Sequence, residues 1–118
     1  MGYIWHLKGQ DMSTAWDLAV QGMEAAADHA ERENEGWNRM AFEAFVRYVA
    51  AVKEPFMTEE VRWYAEALGV PEPPDNRAWG AVAMRAKRAG LIVSVGYAPQ
   101  KSINTHRSPK TLWKPTTL

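Results

Sequence analysis

The sequence predicts a mainly α-helical chain of the α+β class, with helices followed by a C-terminal two-stranded β-hairpin. Three observations predict it. Apolar residues recur at helical spacing in three stretches between residues 13 and 68. A fourth short helix, over residues 76–89, carries a stop or start signal at each end. After it come two β-branched, apolar runs, Leu91–Tyr97 and Thr111–Lys114, separated by a polar loop.

Residues 1–11 are apolar and aromatic and read as an arm or a fraying terminus. A first helix is expected from Asp11 or Ser13 to about Arg32. Trp16, Val20, Met23, Ala27 and Ala30 recur at spacings of 4, 3, 4 and 3, which forms a seam. That seam suits packing on the chain's own domain, and Trp16, Val20, Met23 and Ala27 also form a candidate homodimer contact. The rest of the helix is acidic: Asp17, Glu24, Asp28, Glu31 and Glu33.

Asn34-Glu35-Gly36 breaks the pattern, and a second helix is expected over 37–53, stopped by Pro55. Apolar residues cover most of its circumference, which predicts the most buried helix of the fold. A third helix is expected over 59–68, with Thr58 as N-cap, Glu59 and Glu60 in the first turn, and Gly69 at its end. Trp63 lies off its apolar stripe. Val70-Pro71-Glu72-Pro73-Pro74 is a stiff connector. Residues 58–90 therefore read as helix, rigid turn, helix.

In the fourth helix Asp75 or Asn76 can accept from free N–H groups of the first turn, and Gly90 can close the last turn in a left-handed conformation. At 100° per residue, Ala78, Trp79, Val82, Ala83, Ala86 and Ala89 form a packing side. Arg77, Gly80, Ala81, Met84, Lys87 and Arg88 form the other side, with Arg85 at the boundary. The small Gly80 and Ala81 would let the backbone approach a polyanion while the cations reach phosphates or base edges. A solvated charged face is the plainer interpretation of the same pattern.

Charge is segregated along the chain. Residues 1–76 hold all 14 acidic side chains and carry a net −8. Residues 77–118 hold eight Lys or Arg and no acid, a net +8. Mutual neutralisation of the halves within the fold is the alternative to a polyanionic partner for the basic half. Exposed pairs contribute only about 0–1 kcal/mol each, too little to require so complete a segregation. The loop at 98–110 is basic as well, with Lys101, Asn104, His106, Arg107 and Lys110.

Other chemistry is absent from the sequence. There is no cysteine, and His6, His29 and His106 have no metal-ligand spacing. No glycine-rich phosphate loop or nucleophile elbow occurs. No apolar run reaches the roughly 20 residues that cross a bilayer, and the N-terminus does not resemble a secretory leader. These features predict a non-enzymatic, cofactor-free, metal-free protein of a reducing cytoplasm.

The order helix, helix, helix, hairpin resembles the winged helix-turn-helix. The match is carried by Pro73-Pro74-Asp75-Asn76-Arg77-Ala78-Trp79-Gly80, by Ala89-Gly90-Leu91-Ile92, and by a Ser-, Arg- and His-rich loop ending in Leu112-Trp113. These pieces are similar to small winged-helix proteins of bacteriophages and prophages, over about residues 37–114. The resemblance implies residues 1–35 as an added arm and acidic helix, and 36–118 as the winged-helix domain. It implies a regulator or replication accessory in the bacterial cytoplasm that binds double-stranded DNA. Helix 76–89 would lie in the major groove through Arg77, Arg85, Lys87 and Arg88. The wing would contact the backbone through Lys101, Asn104, His106, Arg107 and Lys110. The alternative is a winged-helix module that docks a host or phage protein.

Overall fold

Helix α4 (Arg77–Arg88) lies at the centre of the molecule and touches each of the other helices and the hairpin. The structure, a computed structural model, describes residues 2–99 and 109–116, with side chains over 14–99 and 110–116. Before α4 come α1 (Gly2–Glu33), α2 (Trp37–Ala51) and α3 (Thr58–Ala67); after it come β1 (Ile92–Pro99) and β2 (Pro109–Pro115). The protein is thus mainly helical with a two-stranded antiparallel hairpin.

The sequence places α2, α3, α4 and both strands to within about two residues, but α1 differs. It is a single helix from Gly2, not an arm followed by a helix from residue 13. Ser13 and Thr14 can cap a helix, yet they do not interrupt one whose neighbours Leu7, Lys8, Gln10 and Met12 all favour it. Its 32 residues rise about 48 Å, which accounts for the 55 Å long axis of a body 34 and 33 Å in its other extents. Residues 14–19 are all exposed, while Ala26, Ala27 and Ala30 are buried. Among the described side chains of α1, those that enter the core come from its second half, and they share one hydrophobic cluster with Trp37, Phe45, Trp79 and Trp113.

The most buried helix is α4, not α2. Six of its twelve residues are buried, against four of fifteen in α2. The apolar residues that wrap α2 include Val46, Ala50 and Ala51, which are exposed because no described residue packs over that side. Helix α4 is covered from several directions at once, and its alanines let those neighbours come close.

Local signals explain the chain reversals. Gly36, Gly69 and Gly90 have φ of 85°, 98° and 79°, left-handed values open to glycine at little steric cost. The carboxylate of Glu31 accepts from the backbone N–H groups of Gly36 and Asn38 and from Asn38 Nδ2, so it caps the start of α2 from the end of α1. Met57, not Thr58, is the N-cap of α3, and its N–H donates to Glu60 Oε2 at 2.8 Å. Thr58 has another partner: Trp113 Nε1 donates to its hydroxyl at 3.0 Å. The proline connector is tied down by Trp37 Nε1, which donates to Pro71 O at 2.8 Å.

The hairpin is fixed at its base. Phe56 and Trp113 exchange two backbone hydrogen bonds of 2.9 and 2.7 Å, an isolated antiparallel bridge between the segment before α3 and β2. The register pairs Ile92 with Pro115, Ser94 with Trp113, and then Gly96 with Leu112 and Tyr97 with Thr111. Val95 is thus an inserted residue, a β-bulge, and Gly96 beside it has φ of 143°.

Candidate nucleic-acid interface

The bulge determines what the hairpin presents. Ser94 and Tyr97 are three residues apart, so a regular strand would put them on opposite faces. The inserted Val95 restores Tyr97 to the face of Ile92, Ser94 and Trp113, opposite Thr111. There Tyr97 is 75% exposed, and it borders a groove of about 550 Å³ between α4, the hairpin, the start of α3 and the middle of α1.

The floor of that groove is apolar, formed by the buried Met57, Trp79, Ala83 and Trp113. Trp79 meets Trp37 edge-on, with centroids 5.3 Å apart at 72°. Its Nε1 is buried without a hydrogen-bond acceptor among the described residues. Two exposed aromatics stand on the walls, Tyr97 on β1 and Trp16 on α1, the latter 55% exposed.

Four cations line the same space: Arg62, Arg77, Lys87 and Lys110. Glu59 is the one acidic residue among the described lining groups. The cations are not equally free. Arg77 grips Asp75 through Nη2–Oδ2 at 2.7 Å and Nε–Oδ2 at 2.9 Å, and Arg62 lies 3.9 Å from Glu66. The pairing holds the Asp75 carboxyl below its usual range and raises Arg77. Lys87 and Lys110 form no ion pair within the described residues.

Arg85 differs from its expected role. Its guanidinium turns inward, donating to Asn38 Oδ1 at 2.8 Å and to Glu24 Oε2 at 3.4 Å. It is a strut between α4, α1 and α2. Arg88 is exposed at the end of α4, next to the dipole's negative pole. Lys101, Asn104, His106 and Arg107 lie outside the described residues.

Gly80 and Ala81 also serve a different purpose from the one expected. Ala81 is buried, and a Cβ at Gly80 would lie 2.7 Å from the sulfur of Met23. The α1–α4 pair is the most extensive helix–helix interface, and it crosses the side of α4 that the sequence assigned to a polyanion. The glycine brings α1 close, not a duplex. The same crossing uses up part of the candidate dimer seam: Met23 packs on α4 and Ala27 is fully buried, leaving Trp16 exposed and Val20 half-buried.

Sequence reasoning did not bring Tyr97, Trp16 and Lys110 together. The available signal was Gly96, since a glycine inside a strand pattern marks a bulge. Among the described residues no helix is long and apolar enough to cross a membrane. No family model, no curated protein and no solved structure matches this chain.

Proposed function

We propose that this protein is a non-enzymatic DNA-binding protein of winged-helix type, gripping duplex phosphates with its hairpin and the last turn of α4. The observation that carries this reading is the convergence of Lys87 and Lys110, unpaired within the described residues, beside Arg77 on one groove. The arrangement of α2, the Phe56–Trp113 bridge, α3, α4 and the hairpin agrees with a winged helix-turn-helix, in which the bridge takes the place of a short strand. In this reading α4 does not lie lengthwise in the major groove, because α1 occupies its outer side. The duplex rests on Lys87, Arg88 and Lys110, all exposed.

The test is an electrophoretic shift on mixed-sequence duplex at 50 and 200 mM salt. Wild type should bind and weaken steeply with salt. Replacing Lys87, Arg88 and Lys110 together by Ala should lower the slope of log K against log salt by roughly 2–3. Absence of any shift at 50 mM salt would sink the reading. A second reading, a docking module for an acidic protein segment, is favoured by the apolar floor of the groove, which phosphates do not require.

A further inference from the structure

Helix α4 is recessed. A helix that reads a duplex must stand out as a ridge that fits a groove about 12 Å wide. Here α4 forms the bottom of a trough whose walls are α1 and the hairpin. A recess of about 550 Å³ suits a few unpaired residues better than a duplex, which would lie across its rim.

The walls carry what a single strand needs. Tyr97 is 75% exposed, so it contributes little to the core, yet the chain carries a bulge that turns it into the trough. Trp16 is 55% exposed on the opposite side, borne by a helix half that buries none of residues 14–19. Exposed rings beside cations are the platforms on which unpaired bases stack, since every base has a π-face. Lys87 lines the same trough to meet phosphates, Lys110 borders it from the strand position beside Thr111, and Arg77, paired with Asp75, lies at the far end of α4. Glu59 lies at the start of α3, where the helix dipole favours an acid.

We infer that the trough between α4 and the hairpin holds a short unpaired stretch of nucleic acid, with bases stacked on Tyr97 and Trp16 and phosphates on Lys87 and Lys110. This rests on the DNA-binding reading and names the form of strand that its central recess takes. The protein would then sit at a boundary between paired and unpaired DNA, with duplex on the rim and a single strand within.

The test is fluorescence anisotropy with a labelled twelve-residue oligothymidine, and in parallel with a labelled mixed-sequence duplex. Wild type, Tyr97→Ala, Tyr97→Phe, Tyr97→Leu, Trp16→Ala and Lys87→Ala are compared, with circular dichroism to verify folding. Wild type should bind the single strand. Tyr97→Ala and Trp16→Ala should each weaken that binding between about fivefold and a hundredfold, and leave duplex affinity within twofold. Tyr97→Phe should retain single-strand binding and Tyr97→Leu should not. Lys87→Ala should weaken both ligands. Duplex binding without single-strand binding overturns this inference and leaves the DNA-binding reading standing. Equal binding by the Phe and Leu variants also overturns it, because an apolar wall would then suffice. Failure to bind either ligand overturns both, and capture of a synthetic acidic amphipathic helix in their place would assign the trough to a protein segment.

Discussion

Gly80 on α4 and Met23 on α1 meet where the two helices cross, and a Cβ on Gly80 would lie 2.7 Å from the methionine sulfur. The fold uses the missing side chain to let α1 settle on α4. Gly80→Ala gains about 1 kcal/mol of helix propensity but forces Met23 to move, so a small net loss is expected. Gly80→Leu should cost more, roughly 1–3 kcal/mol. Urea melts of the two variants should fall in that order. Met23→Ala added to Gly80→Leu should recover part of the loss. A Gly80→Leu protein at least as stable as wild type would contradict the close approach.

Arg85 and Lys87 are two residues apart and should behave differently. Arg85→Ala leaves Asn38 Oδ1 and Glu24 without their donor, at a cost of about 1–3 kcal/mol. It should leave DNA affinity unchanged once folding is taken into account. Lys87→Ala should alter stability by about 0.5 kcal/mol or less and weaken DNA binding. Denaturant titration and anisotropy on the same samples separate the two, and the opposite pattern would return Arg85 to the interface.

Trp79 is 2% exposed and packed edge-on against Trp37. Trp79→Ala should cost roughly 3–5 kcal/mol. Trp79→Phe keeps an aromatic ring and removes a buried N–H that has no acceptor, so its cost should be much the smaller. Thermal melts of the pair check this, and equal losses would mean that the indole nitrogen has an acceptor after all.

Two glutamates should respond to acid in opposite senses. Hydrogen bonds from Gly36 and Asn38 hold the Glu31 carboxyl below the ordinary range. Its stabilising effect is therefore present above the unfolded value, about 4.3, and is lost as pH falls through the lower folded value. Burial pushes Glu66 up against the opposing charge of Arg62. Its ionisation opposes folding, so that stability declines as pH rises from the ordinary value through the raised one. Glu31→Gln should lower the Tm at pH 7 and flatten the acid limb, whereas Glu66→Gln should raise the Tm at pH 7. Melts between pH 3 and 8 decide, and equal shifts in the two variants would contradict this assignment.

Much of the secondary structure is legible in the residues themselves. Pro55 and Gly36 bound α2, Gly90 closes α4, and the β-branched run from Leu91 turns into β1. The candidate site is legible only as charge. Helical periodicity cannot say whether a glycine such as Gly80 faces a ligand or a neighbouring helix, because both want the same empty space. Arg85 sits at the edge of the cationic face, and only the position of Asn38, 47 residues away, turns it inward. Alternation along β1 cannot place Tyr97, since one inserted residue reverses every position beyond it. The bridge between Phe56 and Trp113 joins segments 57 residues apart and leaves no local trace.

That bridge makes the hairpin a cantilever, anchored at one end to the segment that starts α3. Slow amide exchange should therefore concentrate at Phe56 and Trp113 and decline along the strands toward Ala98 and Lys110. A ligand lodged against Tyr97 would load this lever near its far end, and the strain would be felt at Thr58, where the indole of Trp113 is tethered.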